Sequence, residues 1–372
     1  VMGCLNSRQG SEHLMELIPV TLLTGFLGSG KSTLLTEILQ KPEFAHTAVV
    51  VNEFGEIGLD GILIAHSEDQ IVEMTSGCLC CTIRGDIRQT LLDLHGKRAH
   101  GDIPAFDRVI VESTGLADPA PVVHTLMSDP LLDRRYMLGG VVTTVDALHG
   151  AATLDNHSEC EKQAAVADRL VITKADLATS SLSKQALNEL HARLSALNPT
   201  AVVLDRHDPE FEHHRLFDTS LFDPDTKSMD VRTWLNAEAA GGHHDHDHHH
   251  AHDADGHHHH DVTRHGSDIR SFTLTFDEPI TIEAFASSLE ALSLTQGANL
   301  LRIKGIVNTV DRPGIPLVIH GVQHVFHDPV WLDEWPDEDR QTKLVFITNG
   351  IERETLDLFF RSWTGVSNGN WR

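Results

Sequence analysis

The chain has little that is aromatic and little that is basic. Of its 372 residues only 5% are Phe, Trp or Tyr, and 29 Lys and Arg stand against 54 Asp and Glu, a formal charge of −25. A protein that tracks a nucleic-acid backbone needs clustered cations, so this balance argues against such a role and points to a cationic partner or a metal ion. No apolar run reaches the roughly 20 residues of a membrane-spanning helix, and no secretory apolar segment stands near the start, so the expected location is cytoplasmic. Cysteines are five, an odd number, and three of them crowd into four positions at Cys78, Cys80 and Cys81. That distribution argues against a disulfide framework and suggests metal or redox chemistry in a reducing compartment. The stretch from Met2 to Ser7 fits a myristoylation pattern if Met2 is the initiator, whereas Met15 would start the chain just before the first strand. Residues 1–15 are expected to be a disordered extension.

What is present centres on residues 21–35, TLLTGFLGSGKSTLL. They match G-x-x-x-x-G-K-[ST] at Gly25, Gly30, Lys31 and Ser32, between a β-rich run at 18–23 and Leu34, Leu35, Ile38 and Leu39 at helical spacing. Backbone N–H groups from Gly25 through Gly28, Ser29 and Gly30 to Thr33 can face phosphate oxygens, and the helix that follows adds the positive end of its dipole. Lys31 then reaches the β- and γ-phosphates, and Ser32 offers a hydroxyl to Mg²⁺. Further along, Glu112-Ser113-Thr114-Gly115 closes a hydrophobic strand as a D-x-x-G motif would, with Glu in place of Asp. Its carboxylate can act on Mg²⁺ directly or through water while the Gly115 N–H meets the γ-phosphate, which makes it a switch. Thr173-Lys174-Ala175-Asp176 resembles the guanine-reading N-K-x-D, Asp176 accepting from both N–H groups on the guanine edge. Taken singly, Glu112 also reads as a solvated strand-end acid and Asp176 as a helix N-cap; their order behind the glycine-rich turn favours GTP. Lys31 and Glu112 are the expected catalytic residues.

Strands at 48–51, 70–74, 139–147, 168–176 and 199–205, another within 106–119, and helices at 86–95 and 183–197 imply β-α-β units. The expected fold is α/β, a P-loop NTPase with a doubly wound, mostly parallel sheet over residues 16–225 and its ligand at the carboxyl ends of the strands. From about 206 the pattern is expected to break, and 226–268 reads as a linker rich in His and Asp, with eleven histidines between His243 and His260. That composition cannot pack a core. It reads either as a store of imidazoles for transition metals or as a solvated spacer. Residues 269–372, with a strand at 269–279, a helix at 282–292, three further strands and a last helix at 352–360, suggest a smaller α+β domain.

Three soft thiolates in one loop select Zn²⁺, Cu(I) or Co²⁺ over Mg²⁺ and Ca²⁺. No second ligand pair is visible to close a structural zinc site, so Glu53 or Glu56 from the preceding acidic loop could complete an exchangeable one. Cys160 reads as a small core residue. The motifs GFLGSGKSTLL, NEFGEIGLD, SGCLCC, ESTGLADP and TKAD, in that order, resemble the CobW-type P-loop GTPases over residues 18 to about 205, and the resemblance continues at 269–361. It implies a slow, Mg²⁺-dependent GTPase that binds a transition metal at Cys78, Cys80 and Cys81 and delivers it to a client metalloprotein. Zn²⁺ is the expected cargo, with Co²⁺ for cobalamin synthesis the alternative within the family; a regulatory GTPase and a passive metal store are the other readings. Leu116 stands where Ras-like proteins keep a water-positioning glutamine, so slow hydrolysis is expected.

Overall fold

The computed structural model describes residues 17–51, 61–65, 71–75, 83–217 and 268–365. The expected N-terminal extension, Glu53, Glu56, Cys78, Cys80, Cys81 and the histidine tract all lie outside the described residues. Eight strands form a first sheet: β1 (Ile18–Gly25), β2 (Thr47–Val51), β3 (Gly61–Ala65), β4 (Ile71–Thr75), β5 (Arg108–Glu112), β6 (Tyr136–Asp146), β7 (Arg169–Thr173) and β8 (Val202–Asp205). Their order is β4-β3-β2-β5-β1-β6-β7-β8. The six strands from β2 to β8 are parallel, and β3 and β4 add an antiparallel edge.

Parallel strands buried on both faces need apolar side chains at odd and even positions alike. Val20, Leu22, Val109 and Val111 pack on one face with Leu91 and Leu94 of α2 (Ile83–His100) and with Val122, Val123 and Leu126 of α3 (Ala120–Ser128). Leu23, Val49 and Ile110 face the other way, onto Leu34, Leu35 and Ile38 of α1 (Lys31–Leu39). Beyond β6, α4 (Gly150–Asn156), α5 (Ser158–Ala165) and α6 (Ser181–Leu197) complete the layers. The buried Cys160 sits here among Leu154, Leu190 and Leu194, and burial pushes its thiol up to about 12.

One local reading needs correction. The run at 61–65 was not anticipated as a strand, because four apolar residues behind a glycine do not separate strand from loop; in the sheet it turns the chain back beside β2. Past 206 the chain still packs, within the expected 16–225: the 3-10 turn His213–Leu216 buries Leu216, and the Phe217 ring meets Phe44 edge-on at 5.0 Å.

The second sheet is antiparallel. It contains β9 (Ile269–Phe276), β10 (Leu300–Val307), β11 (Leu317–Val322), β12 (Val325–Phe326), β13 (Val330–Trp331) and β14 (Thr342–Asn349), in the order β12-β11-β10-β14-β9 with β13 on β11. One face is covered by α7 (Ile282–Gln296) and α8 (Arg353–Thr364), whose Phe285, Leu289, Leu292, Leu356 and Phe360 pack on Leu274, Phe276, Ile303, Leu344 and Phe346. Leu301, Val322 and Ile347 belong instead to the core of the first sheet, alongside Ala165 and Val166.

The central strand β10 also carries two buried cations into that contact. Arg302 donates to the Val166 carbonyl and pairs with Asp168, both side chains 4% exposed. Lys304 Nζ donates to the Thr200 carbonyl at 3.1 Å and lies 3.5 Å from Asp168 Oδ1, while Asp168 Oδ2 accepts the Val141 N–H at 2.9 Å. Burial pushes the Asp168 carboxyl up, but Arg302, Lys304 and the Val141 N–H together outweigh it and hold the group below its ordinary value of 3.8. A depressed carboxyl contributes stability in full above that pH and loses it as the pH falls below. Removing one partner of a buried pair strands the other charge, so Arg302→Met should cost about 3–5 kcal/mol at neutral pH. Urea titrations at neutral pH and below pH 3.8 check it, the difference from wild type shrinking in acid.

Candidate functional site

The carboxyl ends of the central strands meet around a cavity of about 740 Å³, within the range of ligand sites. Gly28, Gly30, Lys31, Ser32 and Thr33 line it from the glycine-rich turn and α1, Glu112 from the end of β5, Ser113 to Gly115 from the loop that follows, and Lys174 from the loop after β7. Leu27, Leu116 and Val51 add apolar surface.

The turn owes its shape to one residue and to three neighbours beneath it. Gly25 has φ 135°, and a Cβ there would lie 2.3 Å from Thr144 Oγ1, so only glycine fits. Ser29 Oγ lies 2.6 Å from Thr144 Oγ1, Thr173 Oγ1 donates to the Ser29 carbonyl at 2.7 Å, and Ser113 Oγ donates to Thr24 Oγ1 at 2.8 Å. The side chains of Ser29 and Thr173 are therefore turned into the support of the turn. No side chain caps α1 behind Gly30, which leaves the N–H groups of its first turn directed at the cavity.

On the phosphate side Lys31 curls over the turn and donates to the Gly25 and Phe26 carbonyls at 2.8 and 3.1 Å. Ser32 Oγ donates to Glu112 Oε1 at 2.7 Å, joining the two hard oxygen donors expected at Mg²⁺. The loop after β5 presses on the turn: a Cβ on Gly115 would lie 2.6 Å from the Leu27 nitrogen. At the other side Lys174, at φ 59°, donates to the Gly28 carbonyl at 2.7 Å and to Asp146 Oδ2 at 2.6 Å. Asp146 Oδ1 accepts the Leu148 and His149 N–H groups. Burial pushes the Asp146 carboxyl up, and the Lys174 hydrogen bond with these two N–H groups more than offsets it, leaving the group below its ordinary value. Asp176 lies beyond the cavity lining, half exposed, with His207 Nε2 2.9 Å from its carboxylate.

The edge of the sheet relates this cavity to the segments that carry the cysteines. Val51, the last residue of β2, lines the cavity, and the antiparallel register brings Gly61 and Thr75 to the same end. Segments 52–60 and 76–82 are therefore attached at the cavity end of the sheet. Among the described residues no three His, Cys, Asp or Glu side chains gather where a metal ion could be held.

Sequence reasoning missed Asp146, Thr144 and Gln163. Asp146 had a signal, a lone acid closing the buried strand GGVVTTVD in the same way that Glu112 closes its own. Thr144 and Gln163 had none, because their partners are brought to them only by the sheet.

Residues 19–205 match the model of the CobW/HypB/UreG nucleotide-binding domain, and residues 269–363 that of the cobalamin synthesis protein cobW C-terminal domain. The zinc chaperone YjiA of Escherichia coli is 32% identical over 93% of this chain and 98% of its own length. The zinc chaperone CobW of Pseudomonas aeruginosa is 31% identical over 91% and 89%. The crystal structure of Zn(II)-bound YjiA GTPase from E. coli superimposes with a TM-score of 0.66 at 28% identity, covering 94% of this chain and 99% of that one. No helix among the described residues is long and apolar enough to cross a membrane. The chain belongs to the CobW/HypB/UreG family of P-loop proteins and carries the cobW C-terminal domain behind its nucleotide-binding domain.

Proposed function

We propose that the chain is a slow GTPase of the cytoplasm that binds Zn²⁺ at Cys78, Cys80 and Cys81 and delivers it to a client metalloprotein. The working division is a GTPase domain at 16–225, a linker at 226–268 and a C-terminal domain at 269–372. The observation that carries the reading is the single cavity in which Lys31, the Ser32–Glu112 pair, Gly115 and Lys174 converge. The names of its relatives favour zinc over cobalt as cargo.

The backbone of the turn and the first turn of α1 would hold the phosphates, with the Lys31 ammonium placed against the β- and γ-phosphates. Ser32 and Glu112 would hold Mg²⁺, which supplies charge neutralisation between phosphates when bound. Lys174, fixed by Asp146, covers the turn on the side of the base, and Asp176 would accept from guanine in exchange for its contact with His207. Segments 52–60 and 76–82 join the sheet at the cavity, so the γ-phosphate can bias both, and its loss would free the metal for a client.

Lys31→Ala should lower turnover about 10²–10³-fold, the scale of one lost transition-state donor, from a wild-type rate already below about 1 s⁻¹. Phosphate release and circular dichroism measure the loss and the retained fold. Asp176→Asn should weaken GTP about tenfold, roughly the net worth of the lost charge-assisted hydrogen bonds, and leave ATP unchanged in a competition assay; equal affinity of wild type for both nucleotides would defeat the guanine assignment. Zn²⁺ should bind about 5- to 150-fold more tightly with a non-hydrolysable GTP analogue than with GDP. A chelator competition reads this, and the ratio should vanish in the Cys78, Cys80, Cys81→Ser variant. Identical Zn²⁺ affinities in the two nucleotide states would overturn the coupled delivery.

A further inference from the structure

Helix α5 meets the nucleotide site from behind, and one of its side chains has no place in the function as stated so far. Gln163 is fully buried. Its Nε2 donates to the Gly115 carbonyl at 3.2 Å and to the Ala117 carbonyl at 3.0 Å, gripping the loop after β5 on both sides of Leu116. Because both partners are carbonyls, the orientation of the amide is dictated by chemistry: only the nitrogen end can face them. Its Oε1 finds no hydrogen-bond partner among the described residues. Burying an amide with its acceptor unmatched costs stability, whereas an apolar side chain of similar length would leave the two carbonyls without their donor. What the amide supplies, and an apolar side chain of similar length would not, is the pair of donors to the Gly115 and Ala117 carbonyls.

The post that carries Gln163 is fixed at both ends. Thr143 Oγ1 donates to the Gln163 carbonyl at 2.9 Å. Asn198 Nδ2 donates to the carbonyls of Ala164, Ala165 and Ala167 at 2.9, 3.0 and 2.9 Å, and Arg302 of the second sheet holds the Val166 carbonyl. Before the helix begins, the His157 ring stacks on Phe26 of the glycine-rich turn at 4.4 Å. The loop from Gly115 to Ala117 is thus tied to an element that is itself tied to the turn, to the first sheet and to the second.

We propose that Gln163 is a positioning residue that sets the Gly115–Ala117 loop for the γ-phosphate, and so sets how strongly the site distinguishes GTP from GDP. The proposal rests on the nucleotide reading given above. GDP does not reach the Gly115 N–H, so loss of the grip should spare GDP and penalise GTP. A residue that merely fills space would affect both alike.

The test uses the full-length chain and two probes, a fluorescent GDP and a non-hydrolysable GTP analogue. Gln163→Met keeps the length and removes both donors. Its thermal midpoint should stay close to wild type, its GDP affinity should stay within about twofold, and its GTP-analogue affinity and turnover should both fall about tenfold, the scale of a stranded pair of hydrogen bonds. Gln163→Asn, too short to reach both carbonyls, should give the same selective loss, and serves if the methionine variant does not fold. Unchanged affinity for both nucleotides with unchanged turnover overturns the proposal. A parallel loss of both, following a lowered thermal midpoint, overturns it as well. If wild-type protein binds neither nucleotide, the proposed function falls and this inference with it, an outcome distinct from either of these.

Discussion

The turn between β1 and α1 is held from below by hydroxyl groups on three different strands or strand ends, and most of the site depends on that support. Thr144 on β6, Thr173 on β7 and Ser113 after β5 reach Ser29, its carbonyl and Thr24. Their meeting is a matter of register: Gly25 lies beside Thr144, and Asp146 beside Thr173. Alternate residues of a strand face opposite sides of a sheet, so a slip of one position would turn every one of these hydroxyls away. The cavity is in this sense a property of the parallel sheet. The glycine-rich turn supplies the freedom to adopt the shape, and the strands supply the constraint that selects it.

Strand β7 links this support to the rest of the molecule. Its last residue holds the turn, and the residue just before its first is Asp168, the anion at which the two cations of β10 converge. Burying three charges is an expensive way to join two sheets, because desolvation consumes much of what their attraction returns. What it provides is a unique seating: Leu301, Val322 and Ile347 would tolerate a range of slides over the first sheet, whereas Arg302 must find both Asp168 and the Val166 carbonyl.

How much of this was legible from the sequence depended on distance along the chain. The placement of Lys31, Ser32, Glu112, Gly115 and Lys174 around one site could be read because each motif is short and the α/β pattern sends strand ends to one side. Strand β3 could not, because its four apolar residues behind a glycine do not separate strand from loop. Asp146 and Gln163 escaped because their partners are 28 and 46 to 48 residues away. In LLRIKGIV, Arg302 and Lys304 alternate with apolar residues, as the solvated face of a strand would, yet all eight positions are buried. The anion that pairs with Arg302 lies 134 residues earlier. The sequence pattern reports which residues share a face, but not whether water or another sheet covers it.

The two sheets are seated on one another through side chains of their own strands and strand ends. Phe217 is packed at one end of the peptide between them, and the Asp268 carbonyl holds the Gly350 N–H at the other. The match of faces, and not the tether, determines where the second sheet goes. Closing a longer tether between fixed ends adds only about 0.6 kcal/mol for each doubling of its length. A change in the length of chain between these two ends therefore costs the fold little, and the position of the second sheet stays with Arg302, Lys304 and Asp168.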